Sequence, residues 1–143
     1  MDLKETKSSD NIFEHKIRVY YEDTDAGGIV YYANYLKFFE RCRTEWLRSF
    51  DIEQDDLMEQ SIGFVVKRVE MENYKPALFN QELRISCQVV ELKRASVVFE
   101  QHIYNNQNQH LVSANIRVAC VNLEKLKPIA IPPIVFREMQ RAV

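Results

Sequence analysis

RVYYEDTDAGGIVYYANYLKFFERCRTEWLR, residues 18–48, passes from an alternating stretch through an acid- and glycine-rich turn into an amphipathic segment. Its second half decides the fold. In YLKFFERCRTEWLRSF, residues 35–50, Tyr35, Phe38, Phe39, Cys42, Trp46 and Phe50 recur three or four apart, the spacing of one helix face. Arg41 and Glu45 lie four apart on another face, where opposite charges add a little helix stability. The spacing predicts one long helix, starting near Asn34 as an N-cap and ending between Ser49 and Asp51. A short polar helix is expected in EQDDLMEQ, residues 53–60, ahead of Gly63.

Upstream of the turn, HKIRVYYE, residues 15–22, alternates Ile17, Val19 and Tyr21 with Lys16, Arg18 and Tyr20, as a half-buried strand does. Downstream of Gly63 the period changes to two in FVVKRVEMENY (64–74), ELRISCQVVEL (82–92), SVVFEQHIY (96–104) and HLVSANIRVACVNLE (110–124). In the second of these, Leu83, Ile85, Cys87 and Val89 share one face against Arg84, Ser86 and Gln88, the pattern of a sheet buried on one side. Short connections such as NNQN, residues 105–108, favour antiparallel pairing. Pro128, Pro132 and Pro133 interrupt the regular strands, and IVFREMQRA, residues 134–142, reads as a terminal helix opened by Pro133. The expected class is α+β: a strand, a long helix, then an antiparallel meander. One helix cannot cover such a sheet, so a homodimer or homotetramer is expected, paired through a strand edge or the helix.

The chain has 143 residues, 46% hydrophobic and 28% charged, which suits a single domain with a sizeable core. Residues 1–12 are expected to be a disordered tail and residues 13–143 the domain. Net charge is −2 and the basic residues are scattered among acids, so nucleic acid is not expected as a partner. The start has no apolar signal core and no apolar run reaches membrane-spanning length, so a cytoplasmic location is expected. Cys42, Cys87 and Cys120 match neither a disulfide framework nor a zinc pattern, and are read as reduced, buried thiols.

The turn is where chemistry concentrates. Asp23, Thr24 and Asp25 can simply shape a turn, because Asp side chains bond nearby amides. The same residues also place a carboxylate beside a helix start, whose unpaired amides hold a carbonyl oxygen as it turns into an oxyanion. The carboxylate then serves as nucleophile or as base toward water. Gly27 and Gly28 permit unusual backbone angles and close approach of a ligand. A calcium loop is excluded, since Gly, Ile, Val and Tyr fill its remaining ligand positions. His15, His102 and His110 have no ligand spacing, and no G-x-S-x-G elbow, P-loop or dinucleotide fingerprint occurs, so neither metal nor cofactor is expected.

Residues 18–48 resemble the signature of the hotdog-fold acyl-CoA thioesterases, especially the Tol-Pal-associated branch, which is related to 4-hydroxybenzoyl-CoA thioesterase. The resemblance implies a hotdog fold, a long central helix wrapped by a five- to six-stranded antiparallel sheet. It implies hydrolysis of a fatty or aryl acyl-CoA to free acid and coenzyme A, with Asp25 as the catalytic carboxylate and the backbone amide of Tyr32 facing the carbonyl. Tol-Pal-associated members carry His where this chain has Tyr32, whereas the hydroxybenzoyl branch has Tyr there. Lys93, Arg94 and Ser96 fall where the family meets coenzyme A phosphates, while Tyr31, Tyr35 and Phe64 are the expected lining of the acyl channel. The carrier, coenzyme A or acyl carrier protein, stays open. Two other readings stand beside hydrolysis: a hotdog hydratase, and a non-catalytic acyl-CoA or acyl-carrier-protein binding module.

Overall fold

The computed structural model describes residues 11–143. The tail expected over residues 1–12 lies outside the described residues except for Asn11 and Ile12. Strands β1 (Phe13–Arg18), β2 (Ile62–Asn73), β3 (Glu82–Leu92), β4 (Ser96–Asn105), β5 (His110–Asn122) and the two-residue β6 (Lys127–Pro128) form one antiparallel sheet. Its order is β1-β3-β4-β5-β2, with β6 added to β5. Helix α1 spans Asn34–Arg48, α2 Gln54–Glu59 and α3 Pro133–Ala142. α1 packs on β3 and β1, giving the hotdog arrangement that the resemblance implies.

The apolar stripe on α1 explains its position. Tyr35, Phe38, Phe39, Cys42 and Trp46 are buried, and Leu47 joins them. They meet the inward face of the sheet, where Leu83, Ile85, Cys87 and Val89 of β3 alternate with less apolar neighbours as expected. Burying a large apolar side chain is worth about 1.5–3 kcal/mol, so this interface contributes substantially to the stability of the domain. Arg43 also lies on the buried side, 8% exposed, with its Nη1 donating to Gln101 Oε1 at 2.9 Å.

Three expectations shift. The first strand runs over Phe13–Arg18 instead of residues 15–22, because Tyr21–Asp23 turn into a short 3-10 helix closed by the Tyr20 N–H donating to Asp23 Oδ2 at 2.8 Å. Asn34 is not the N-cap: that position is Ala33, and Asn34 Nδ2 instead donates to the Asp23 carbonyl at 2.9 Å. Phe50 lies beyond the helix, which ends at Arg48, and is 37% exposed with its ring edge-on to Trp46. The four later strands fall within two residues of their expected limits at each end.

Only one side of β2 is paired, since β5 is its sole neighbour among the described strands. Its register shifts between Val66 and Arg68, and Val65 and Val66 are both exposed, so the simple alternation expected there is broken. Gly63, the second residue of this strand, lies against Leu123: a Cβ there would come within 2.5 Å of Leu123 Cδ2.

Candidate active site

The segment between β1 and α1 is held on both sides. Val19 N–H donates to the Gln81 carbonyl, Val30 N–H to the Ala77 carbonyl, and Phe79 N–H to the Gly28 carbonyl. The two acids within it do different work. Asp23 is structural: its carboxylate caps Tyr20, and its carbonyl accepts the Tyr31 N–H at 3.1 Å as well as the Asn34 side chain. Asp25 Oδ1 accepts the Gly27 N–H at 3.0 Å, a local turn bond that occupies one carboxylate oxygen. Asp25 is exposed, and it borders a cavity.

Gly28 has φ of +74°, the left-handed region in which a Cβ is strained, and this reverses the chain toward Ile29 and Val30. Neither Gly27 nor Gly28 lines the cavity; they shape the loop that presents Asp25.

The cavity has a volume of about 350 Å³. Asp25, Ile29, Tyr31, Tyr32 and Tyr35 form one side, and the end of β2 with Asn73, Tyr74, Lys75 and Pro76 forms another. The size suits a small organic group, and apolar and aromatic walls with a few polar atoms are the usual make-up of a ligand site. The amides of Tyr32 and Ala33 have no hydrogen-bond partner among the described residues, whereas those of Tyr31, Asn34 and Tyr35 are all occupied. Unpaired amides at the start of a 15-residue helix carry partial positive charge beside the carboxylate. A carbonyl carbon seated between them meets a nucleophile or base on one side and hydrogen-bond donors for its oxygen on the other.

Tyr31, Tyr32 and Tyr35 are thus brought together with Asp25. The side chain of Tyr32 is 59% exposed and leans on Tyr31, with ring centroids 5.1 Å apart. Phe64 is not in this lining. It sits near the start of β2 and borders a narrower space beside Arg43, Phe99 and Met139, because β2 carries residues 62 and 73 to opposite ends of the sheet.

Lys93, Arg94 and Ser96 are likewise remote from Asp25 within one chain. They occupy the β3–β4 turn, where the Lys93 N–H donates to the Ser96 carbonyl at 2.8 Å, whereas Asp25 lies at the end where β3 begins. An 11-residue strand at about 3.3 Å per residue separates the two ends. Lys93 and Arg94 are exposed, and the Ser96 hydroxyl lies 3.5 Å from Arg117 Nη1.

Asn73, Tyr74, Lys75 and Pro76 were not singled out from the sequence; Pro76 marks a strand end there, and nothing local connects it to Asp25. A larger cavity of about 450 Å³ lies beside Trp46, Phe50 and Ile12, but its acid, Glu138, is paired with Arg141. Among the described residues no group of three His, Cys, Asp or Glu is placed to hold a metal, and no helix is long and apolar enough to cross a membrane.

Residues 19–140 match the family described as the thioesterase-like superfamily. The chain is 42% identical over 130 residues to the acyl-CoA thioester hydrolase YbgC of Escherichia coli, covering 91% of this chain and 97% of that protein. It is 47% identical over 124 residues to the acyl-CoA thioesterase YbgC of Haemophilus influenzae, covering 86% and 90%. Among solved structures, a probable thioesterase from Bartonella henselae superposes with a TM-score of 0.79 at 34% identity, covering 85% of this chain and 99% of that one.

Proposed function

The chain belongs to the thioesterase-like superfamily, and on that footing we propose that it hydrolyses acyl-CoA thioesters to the free acid and coenzyme A. The observation that carries this reading is Asp25 at the rim of an aromatic cavity beside the unpaired amides of Tyr32 and Ala33. Two routes fit it. In one, an Asp25 oxygen attacks the carbonyl carbon, the C–S bond breaks as the thiolate leaves, and water then cleaves the mixed anhydride. In the other, Asp25 removes a proton from the water that attacks. Each consumes one water and returns the carboxylate unchanged.

The oxyanion that forms in either route is stabilised by the Tyr32 amide, a role any residue but proline fills. Replacement of the relatives' expected His by Tyr32 therefore leaves the central device intact. No His lines the cavity, which counts against the hydratase reading.

The chain acts as a homodimer or homotetramer in this proposal, paired through the free edge of β2, where Val65 and Val66 are exposed. A two-fold antiparallel pairing of β2 with its copy reverses strand direction. It carries the partner's β3–β4 turn to the end of the sheet where Asp25 lies. Lys93, Arg94 and Ser96 then serve a site in the other subunit, meeting the phosphates of coenzyme A with basic side chains. The work is assigned to residues 13–143 and to the cytoplasm, with acyl carrier protein as a second carrier.

Thiol release from short, medium, long and aromatic acyl-CoAs, and from acyl carrier protein thioesters, tests the activity. Turnover on at least one chain class is expected. Saturable binding of all of them without thiol release, at high protein concentration, overturns hydrolysis in favour of a binding module.

A further inference from the structure

Two histidines meet outside the lining of the Asp25 cavity, on the face of β4 opposite its buried residues Val97, Phe99, Gln101 and Ile103. His102 in β4 and His110 at the start of β5 are eight residues apart, a spacing with no ligand motif, and the turn between the strands folds them together. His102 Nδ1 and His110 Nε2 face each other at 2.9 Å. Tyr104 stacks on the His110 ring and Tyr74 lies against it, each with ring centroids 4.9 Å apart. The His102 side chain is 25% exposed, so an ion from solvent reaches the pair.

The bonds on the far side of each ring decide what belongs between them. His102 Nε2 lies 3.3 Å from Glu100 Oε2. An ionised carboxylate only accepts, so Nε2 carries the proton and Nδ1 of the neutral ring keeps a lone pair. His110 bonds the Val112 backbone in a way that favours its protonated form, as a carbonyl acceptor does. The ring nitrogen turned away from His102 is Nδ1, and a proton held there leaves a lone pair on Nε2 as well. Two lone pairs at that distance repel unless a cation lies between them. An acceptor on the far nitrogen, carboxylate or backbone carbonyl, is also what fixes the tautomer and orients the ring of metal-ligating histidines. Glu100 and Val112 supply one of each.

The separation narrows the choice of ion. Two bonds of about 2.0–2.1 Å span 2.9 Å at roughly a right angle. That angle suits the tetragonal sites of Cu2+ and Ni2+, whereas tetrahedral zinc needs a wider one. No third His, Cys, Asp or Glu among the described residues is placed to join the pair, so water completes the coordination.

We propose that His102 Nδ1 and His110 Nε2 form a two-histidine site for Cu2+ or Ni2+, with Glu100 holding the His102 ring in place. The ion ties β4 to β5 beside Tyr74 and takes no part in the chemistry at Asp25.

The test uses the untagged full chain, stripped of metal with a chelator. Calorimetric titration with nickel chloride at neutral pH is expected to give one ion per chain. Electron paramagnetic resonance of the Cu2+ complex is expected to show coupling to two imidazole nitrogens. Glu100→Gln should weaken Ni2+ binding by about 10–100-fold, the usual cost of losing the acceptor behind a ligand, and His102→Gln and His110→Gln should each weaken it further. His15→Gln, on β1, should bind as the wild-type protein does. Circular dichroism checks the fold of every variant. Failure of the wild-type protein to bind Ni2+ overturns the proposal and leaves a hydrogen-bonded histidine pair. So does binding that survives in both His102→Gln and His110→Gln, or that falls equally in His15→Gln. A Cu2+ spectrum with fewer than two imidazole nitrogens overturns it without recourse to any variant. Each of these results leaves hydrolysis at Asp25 standing.

Discussion

Asp25→Asn separates chemistry from architecture at this site. Asparagine keeps the shape of the side chain and an Oδ1 that accepts the Gly27 N–H, so the turn bond seen at 3.0 Å survives. Asp25 is exposed and forms no salt bridge with any described residue, so its replacement should move stability by no more than about 0.5 kcal/mol. In the proposed mechanism the charge that attacks the carbonyl or takes the proton from water is then gone. Loss of such a group costs about 10²–10⁴ in rate, equivalent to about 2.7–5.4 kcal/mol of transition-state stabilisation. Because the Tyr32 amide and the aromatic walls remain, KM should change far less than kcat. The neighbouring acid supplies the control. Asp23→Asn weakens a charge-assisted bond to the Tyr20 N–H and so should cost about 1 kcal/mol of stability, with turnover kept within an order of magnitude. Steady-state thiol release and urea unfolding of the two variants measure both quantities. A near-normal kcat in Asp25→Asn, or an equal loss in Asp23→Asn, removes Asp25 from the mechanism.

Other substitutions probe the frame around the site. Gln101→Leu strands Arg43 Nη1 together with the carbonyls of Phe39 and Ser86, which now accept Gln101 Nε2 at 3.1 and 3.3 Å. A loss of about 2–4 kcal/mol is expected, read as a lower urea midpoint at unchanged slope. His110 is held below its usual pKa by burial and by the nearby charge of His102, in a cluster with Glu100, Tyr104 and Tyr74. Folding therefore favours its neutral form: its contribution is complete above about pH 6.5 and is lost as pH falls below that value, so the melting temperature should drop toward pH 5 and drop less in His110→Gln. Cys42, Cys87 and Cys120 are buried, the Cys87 thiol being pushed up by its bond with Cys42 and by burial, and Cys120 by burial alone. A disulfide thiol reagent should thus react slowly with the native protein and find three thiols in denaturant. Gly28→Ala, at φ +74°, should cost about 1 kcal/mol and lower turnover by shifting the loop that presents Asp25.

What could be read from residues 18–48 is what local forces decide. The α1 stripe fixes which side of the helix is buried, and Asp25 and the Tyr32 amide lie within seven residues of each other, so their meeting needs only a turn and a helix start. Asn34 went astray because helix-start N–H donors and a distant carbonyl acceptor compete to orient one short side chain. The helix start offers a capping role, but the 3-10 turn at Tyr21–Asp23 brings the Asp23 carbonyl within 2.9 Å of Asn34 Nδ2, and that bond wins. No reading of residues near Asn34 includes a carbonyl eleven positions away.

The remaining separations from Asp25 share one physical origin, the length of the strands. Phe64 has the composition of a channel residue, but the wall that faces Asp25 is made by Asn73 to Pro76 at the other end of the same strand. Tyr74 reaches that place because its N–H donates to the Leu111 carbonyl at 2.8 Å, a pairing between segments far apart in sequence. Lys93 and Arg94 are displaced from Asp25 by the full run of β3 for the same reason. Strand direction therefore sorts the sequence candidates into two ends, acid and amides at one and basic turn at the other. A single subunit cannot close that distance with side chains. Reversal across a two-fold at β2 can, so whether Lys93 and Arg94 matter to catalysis is at root a question about oligomerisation. Lys93→Ala with Arg94→Ala should raise KM for coenzyme A thioesters by about tenfold for two lost phosphate contacts, with little change for a substrate that lacks the nucleotide. Mixing that double variant with Asp25→Asn should restore tight, active sites in a fraction of heterodimers, because one subunit then supplies Asp25 and the other supplies Lys93 and Arg94 to one shared site. No gain of activity on mixing, in subunits shown to exchange, would place both halves in one chain and contradict the strand geometry on which the sorting rests.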